Sequence, residues 1–139
     1  MIIVIRISGK VKIRGEIEET LFRLRLRRKY SCILISEKDA NRRGMLDKVK
    51  NYVSYGNIEK ITLVRLIEKR AVRADKKEIK DAKKIADDLE KGKNLEELEL
   101  KPFFRLGPPR GGLKSSKKSY PKGVLGNNKE INKLVERML

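Results

Sequence analysis

The sequence predicts a mixed α and β chain of order β-α-β-α-β within its first 67 residues, followed by a mostly helical extension. Three observations carry this. Dense β-branched runs bounded by breakers read as strands at Ile2–Ile7, Cys32–Ser36 and Lys60–Ile67. The stretches between them place apolar residues at helical spacing. Beyond residue 67 the helical period returns twice, around a segment too rich in glycine, proline and cations to build a core.

Taken in order, IIVIRI stops at Ser8-Gly9, and a basic loop with Lys10, Lys12, Arg14 and Gly15 follows. Glu16, Glu18 and Glu19 suit the first turn of a helix, where carboxylates meet the positive end of the helix dipole. Ile17, Leu21 and Leu24 share one side of that helix. The helix runs through about Arg25, so the alternation in FRLRLRR reads as its tail crowded with arginine, and Arg27, Arg28 and Lys29 favour a helix C-terminus. CILIS is the second strand. Asp39 or Asn41 caps a second helix with Met45, Val49, Tyr52 and Val53 inward and Gly56 as its stop. KITLVRLI, with Thr62, Val64 and flanking isoleucines, is the third strand. The domain reading is a core at 1–67 and an extension at 68–139. The extension holds a charged helix at 75–91 ending at Gly92, a basic Pro/Gly-rich segment at 101–126 and a terminal helix at 128–138. In that helix Ile131, Leu134, Val135 and Met138 line one side, and Asn127 and Glu130 are spaced as a capping box.

Charge narrows the function. Of 139 residues 36 are Lys or Arg and 19 are Asp or Glu, a net charge of +17, and the charge load is of a kind common in proteins built for high temperature. That many uncompensated positives repel one another unless a polyanion accepts them, which points to nucleic acid or an acidic membrane face. The excess is uneven: residues 1–67 carry +9, 68–100 are neutral and 101–139 carry +8. If folding brings the two ends of the sequence together, they form one large basic face. One cysteine and no histidine exclude a disulfide framework within the chain, a zinc finger and histidine-based acid–base catalysis. Cys32, inside SCILIS, reads as a buried thiol. No apolar run is long enough to span a bilayer, and the start is too short and too soon interrupted by Arg6 for a secretory signal, so the expected compartment is the cytoplasm.

The segment RLGPPRGGLKSSKKSYPKG holds three of the four prolines and four of the ten glycines, and no carboxylate. Gly111 and Gly112 permit positive φ and close backbone approach. Pro108 and Pro109 stiffen the chain. Arg110 forks two phosphate oxygens, while lysines act as point charges and Ser115, Ser116 and Ser119 as donors. Arg42 and Arg43, near a helix start where positive charge is disfavoured, make more sense facing phosphate. Contacts of this kind read backbone and shape, not base sequence. Phe103, Phe104 and Tyr120 could stack on bases, yet no aromatic platform for single strands is evident.

In order and spacing, the opening strand with Ser8-Gly9, LRLRRKYSCILI, RRGML at Arg42–Leu46, FRLGPPRGG at Phe104–Gly112 and INKLVERML at the end resemble the large-subunit ribosomal protein L-thirty family, in its longer archaeal form, related to the eukaryotic L-seven proteins. The resemblance implies an α+β, ferredoxin-like fold: a small antiparallel three-stranded sheet with helices on one face, plus the helical C-terminal extension. It implies a structural constituent of the large (50S) subunit, without catalytic role, cofactor or metal. Its partners would be large-subunit ribosomal RNA, with 5S rRNA as a candidate neighbour, and adjacent ribosomal proteins. The candidate RNA-binding residues are Ser8, Gly9, Lys10, Lys12 and Arg14; Arg27 and Arg28; Arg42, Arg43 and Gly44; Arg105, Arg110, Gly111, Gly112, Lys114, Lys117, Lys118 and Lys122. Where the family usually shows a Gly-Gly-acidic-x-Gly turn before the last helix, this sequence reads KGVLGNNKE. Two other readings use the same residues: a ribosome-biogenesis or chromatin factor on the same basic face, and a small hydrolase with Asn41, Arg42 and Arg43 on a phosphate. The hydrolase lacks any activated nucleophile or paired carboxylates.

Overall fold

The computed structural model describes residues 1–7, 9, 13–71, 81–92, 97–98, 100–112, 118, 120 and 122–139. Among these residues five strands and five helices follow in chain order: β1 Ile2–Arg6, α1 Gly15–Arg23, β2 Ser31–Ile35, α2 Ala40–Val49, β3 Val53–Asn57, α3 Lys60–Arg70, α4 Ala82–Glu90, β4 Phe104–Arg105, β5 Gly126–Asn127 and α5 Ile131–Met138. They form one sheet of order β4-β2-β1-β3-β5. The α+β class holds, and the three long strands are antiparallel, as expected. The extension adds a two-residue strand at each edge, β4 antiparallel to β2 and β5 parallel to β3, so five strands are present where three were expected.

Side chains of a strand alternate between faces, so each long strand feeds two cores. Ile3, Ile5, Cys32 and Leu34 face one cluster with Leu63, Leu66, Ile67, Ala86, Leu89, Ile131, Leu134 and Val135, which come from α3, α4 and α5. Val4, Ile33 and Ile35 face the other with Leu21, Leu24, Leu46 and Val49 from α1 and α2. The first two helices therefore share one face, as expected, and the helices that follow cover the opposite face.

The third strand lies earlier than the sequence suggested, and two expectations fail together. Helix α2 ends at Val49, and Val53 through Asn57 form β3 against β1. KITLVRLI is helix α3, with Leu63, Leu66 and Ile67 buried at spacing three and four while Ile61 is 68% exposed. β-Propensity is a weak prior, and a well-buried stripe overrides it. Gly56 is not a helix stop. A methyl group there would lie 2.6 Å from the Asn128 carbonyl oxygen and 2.8 Å from Ile131 Cγ2, so glycine lets the entry to α5 cross β3 closely.

Other local readings hold or shift slightly. Asp39 caps α2, its carboxylate accepting from the Arg42 N–H at 3.1 Å. α4 begins at Ala82, capped by Asp81, and the part of the expected helix over 75–80 lies outside the described residues, as does most of the NLEE stretch. Asn127 belongs to β5, opposite Tyr55, and it is Asn128 whose side chain accepts from the Glu130 N–H, at 2.9 Å. The buried Asn128 also donates to Ser54 Oγ at 3.3 Å and, from its backbone, to the Tyr55 carbonyl at 2.8 Å. Exposed ion pairs tie α3 to α4 (Lys60 with Asp87) and to α5 (Arg65 with Glu136, 3.0 Å). Such pairs fix helix order more than they stabilise. The hydrogen bond to Asp87 raises the Lys60 pKa, and the same bond lowers that of Asp87.

Candidate nucleic-acid interface

Strand register defines two ends of the sheet. At one end Arg6, Val53, Ser31 and Arg105 lie near one another across β1, β3, β2 and β4. At the other end Ile2 is opposite both Ile35 and Asn57. Five residues per strand separate the ends by about 15 Å.

The first end gathers the loops that follow β1, precede β2 and β3, and leave β4. Arg6, one of the largest fully buried side chains at 1% exposure, organises it. Its guanidinium donates to the Leu26 carbonyl at 2.7 Å and to the Gly9 carbonyl at 3.3 Å, tying the loop after β1 to the turn before β2. Burial lowers the Arg6 pKa, and the Glu18 carboxylate partly opposes that. The Arg6 carbonyl accepts from the Tyr30 N–H at 2.7 Å, and the Tyr30 carbonyl from the Leu106 N–H at 3.0 Å, which carries the link on to β4. Arg6 is not among the residues singled out from the sequence. Its signal there was a lone cation inside an otherwise apolar strand.

The turn between α1 and β2 is a Schellman-type cap: the Arg25 N–H reaches the Phe22 carbonyl, and the Leu26 N–H reaches the Leu21 carbonyl at 2.9 Å. Its left-handed residue is Arg25, φ 67°, and Tyr30 closes the turn at φ 68°. Non-glycine residues in this region cost on the order of 1 kcal/mol each. The buried Leu24 and Leu26 over-determine the turn, which leaves Arg23, Arg25, Arg27, Arg28 and Lys29 exposed around it.

The arm that leaves β4 is held by the C-terminal end of α5. Gly107 N–H donates to the Met138 carbonyl at 3.0 Å, Arg110 N–H to Arg137 O at 3.0 Å, and the Arg110 guanidinium to Glu136 O at 3.3 Å. Arg137 returns the contact, donating to Gly112 O at 3.0 Å and Arg110 O at 3.4 Å, and Arg70 reaches Met138 O at 3.5 Å. Last-turn carbonyls lack helical partners and sit at the negative end of the dipole, so cations belong there. Arg110 thus spends part of its fork on the fold and remains exposed. Gly111 (φ 82°) and Gly112 (φ 74°) adopt the positive φ expected of them. Lys118 and Lys122 flank a tight loop leading into β5, where the Leu125 N–H donates to Lys118 O at 3.2 Å. A methyl group on Gly123 would collide with that oxygen. Ser8, Lys10, Lys12, Lys114 and Lys117 lie outside the described residues.

Gly9, Arg14, Arg27, Arg28, Arg105, Arg110, Gly111, Gly112, Lys118 and Lys122 therefore belong to loops at one end of the sheet, with Lys50, just before β3, as an addition not singled out from the sequence. Arg42, Arg43 and Gly44 do not join them. They sit at the start of α2, beyond the far end of β2, beside Glu37 and Asp39. Arg42 Nε is 3.6 Å from Asp39 Oδ2, and Arg43 donates to Glu37 O at 3.1 Å. Gly44 has open space where a methyl group would stand, so packing gives no reason for an exposed glycine inside a helix. Cys32 is fully buried, and burial pushes its thiol pKa up, the opposite of a nucleophile. Among the described residues no His/Cys/Asp/Glu group is arranged to hold a metal ion, and no helix is long and apolar enough to cross a membrane.

Comparison with known proteins identifies the family. Residues 2–53 match the family described as ribosomal protein L30p/L7e. A relative from Archaeoglobus fulgidus named large ribosomal subunit protein uL30 is 38% identical over 99% of both chains. Relatives of the same name from Cenarchaeum symbiosum and Desulfurococcus amylolyticus are each 39% identical; the first covers 99% of this chain and 97% of its own length, the second 98% and 96%. Identity at this level, sustained across the extension as well as the core, means that the chain belongs to the uL30 family of ribosomal proteins.

Proposed function

We propose that this protein is a structural, non-catalytic constituent of the large ribosomal subunit in the cytoplasm, and that it grips ribosomal RNA by phosphate and shape contacts through the basic end of its sheet. The observation that carries the proposal is the convergence there of loops from the two positively charged parts of the sequence, joined through Arg6, Tyr30 and Leu106. Arginines hung from a rigid turn match phosphate oxygens with little entropy to lose on docking. Ser8, Lys10, Lys12, Lys114 and Lys117 extend the same surface in the proposal on the strength of sequence alone. The start of α2 is a second, separate contact, supported by Gly44, whose missing side chain opens room for a closely approaching backbone. Neighbouring ribosomal proteins, and a position near 5S rRNA, are proposed from the family likeness; cross-links from Arg28 to rRNA would identify the nearest segment.

The test is gradient fractionation of cells that express a tagged Arg27→Gln, Arg28→Gln, Arg105→Gln variant. All three side chains are exposed, so the variant keeps its melting temperature and is depleted from mature large subunits. Stoichiometric incorporation of the folded variant overturns the proposal. Parent protein found only with precursor particles would make it a biogenesis factor instead. Gly44→Ala tests the second contact. It should raise stability by roughly 0.5–1 kcal/mol, because alanine is the better helix former, while lowering incorporation. Unchanged incorporation removes α2 from the interface.

A further inference from the structure

The ring of Phe22 is 54% exposed in the last turn of α1, one of two large apolar side chains left in the open among the described residues. Unlike Ile61, it sits among cations. The Arg27 guanidinium lies over the ring, 4.1 Å from its centroid, and Arg23, Arg25 and Arg28 surround the same turn. Only Arg23 has a carboxylate partner among the described residues, Glu19 at 2.7 Å. The Schellman-type turn fixes the ring's place, since the Phe22 carbonyl accepts from Arg25 and Arg25 holds a left-handed backbone that glycine would adopt at less cost.

We infer that Phe22 and Arg27 form a stacking platform for one unpaired RNA nucleotide. The inference deepens the rRNA-binding reading above and rests on it. A nucleotide is the ligand that offers both groups this patch requires: a flat π-face for the uncovered part of the ring and a phosphate for Arg25 or Arg28. An apolar protein surface would satisfy the ring and strand the arginines, whereas paired RNA would satisfy the arginines and leave the ring in water. Arg27 on one side of Phe22 pre-positions the ring and adds its charge to the stack. The platform is a single ring, so it accepts one extruded base and does not track along a strand.

The test uses the full chain and two RNA probes: a 20-base-pair duplex, and the same duplex with one bulged 2-aminopurine. The parent protein should bind the bulged probe more tightly and quench its fluorescence. Phe22→Ala should weaken binding to the bulged probe by roughly 5- to 100-fold, abolish the quench and leave the paired duplex unaffected. Phe22→Tyr, which retains the ring, should restore both. Equal affinity of the parent for the two probes overturns the inference and leaves the RNA reading standing. So does a Phe22→Ala loss that is the same for both, and an unchanged affinity for the bulge would assign the ring to a protein neighbour. Failure of the parent to bind either probe sinks the RNA reading, and the platform with it.

Discussion

Replacing Gly56 with alanine puts a methyl group where there is no room for one. The new Cβ would lie 2.6 Å from the Asn128 carbonyl oxygen, 2.8 Å from Ile131 Cγ2 and 3.2 Å from Ile131 Cβ. To restore ordinary contact, the segment entering α5 has to retreat by roughly 0.8 Å, and overpacking of this kind costs about 1–3 kcal/mol. The segment is not free to move. Asn128 N–H holds the Tyr55 carbonyl at 2.8 Å, Asn132 Oδ1 accepts from the Glu59 N–H at 2.8 Å, and Ile131 is 1% exposed in the larger core. The expected cost is therefore near the middle of that range, about 2 kcal/mol, or a fall in Tm of roughly 6–10 °C for a chain of this length. Circular dichroism melts of parent and variant measure it. Displacing α5 also moves Arg137 and Met138, which hold the basic arm, so the amides of Gly107, Arg110, Gly111 and Gly112 should exchange faster in the variant. A Gly56→Ala protein that melts within 2 °C of the parent would show that β3 and α5 are not packed as described.

Two further outcomes follow from the same contacts. Arg137→Ala removes the donor to Gly112 O and Arg110 O while leaving the buried face of α5 intact, so stability should fall by about 1 kcal/mol or less, yet trypsin should cut after Arg110 several-fold faster; unchanged cleavage would mean that the arm is held without Arg137. The buried Cys32 thiol stays protonated in the folded chain above pH 9, where the unfolded thiol ionises; the unfolded state then binds fewer protons, and stability falls as pH rises, by about 1.4 kcal/mol per unit. Urea melts at pH 8 and pH 10 for parent and Cys32→Ala should show the steeper fall in the parent, and parallel falls would refute the assignment.

How far the sequence reached can be judged from particular residues. β1, α1, β2 and α5 were legible because each carries one period and clear ends: Ile3 and Ile5 alternate with Val4, and Leu134 and Met138 follow Ile131 at helical spacing. The exchange of strand and helix over 50–67 had a physical cause. Thr62, Val64 and Ile67 carry strand propensity, but Leu63, Leu66 and Ile67 also fit a helix, and only the sheet's need for a third strand at Val53–Asn57 decides between them. Gly56 misled because glycine ends helices and also permits close crossings, and the partner in the crossing lies more than 70 residues away. The basic residues were legible as a class and not as a surface. Composition marks Arg28 and Arg42 alike, and strand register puts them at opposite ends of the sheet.

That separation says why the extension matters to the site. Residues 1–57 alone would form β1, β2 and β3 with α1 and α2, leaving Ile3, Ile5, Cys32 and Leu34 bare on the other face. The rest of the chain covers that face with α3, α4 and α5, and in doing so returns to the end of the sheet where Arg27 and Arg28 already stand. β4 pairs with Ser31 and the Met138 carbonyl captures Gly107, which sets residues 107–112 down at the end of the sheet that carries the turn between α1 and β2. Packing and charge placement are thus one act. The apolar stripe of α5 decides where the arm lies; the carbonyls at its end draw in Arg70 and Arg110, while Arg137 reaches from the helix to the arm's own carbonyls, and the three form a cluster that would repel itself elsewhere. A cluster so held is satisfied toward the helix and open toward solvent, which is the state a cationic surface needs before a polyanion arrives.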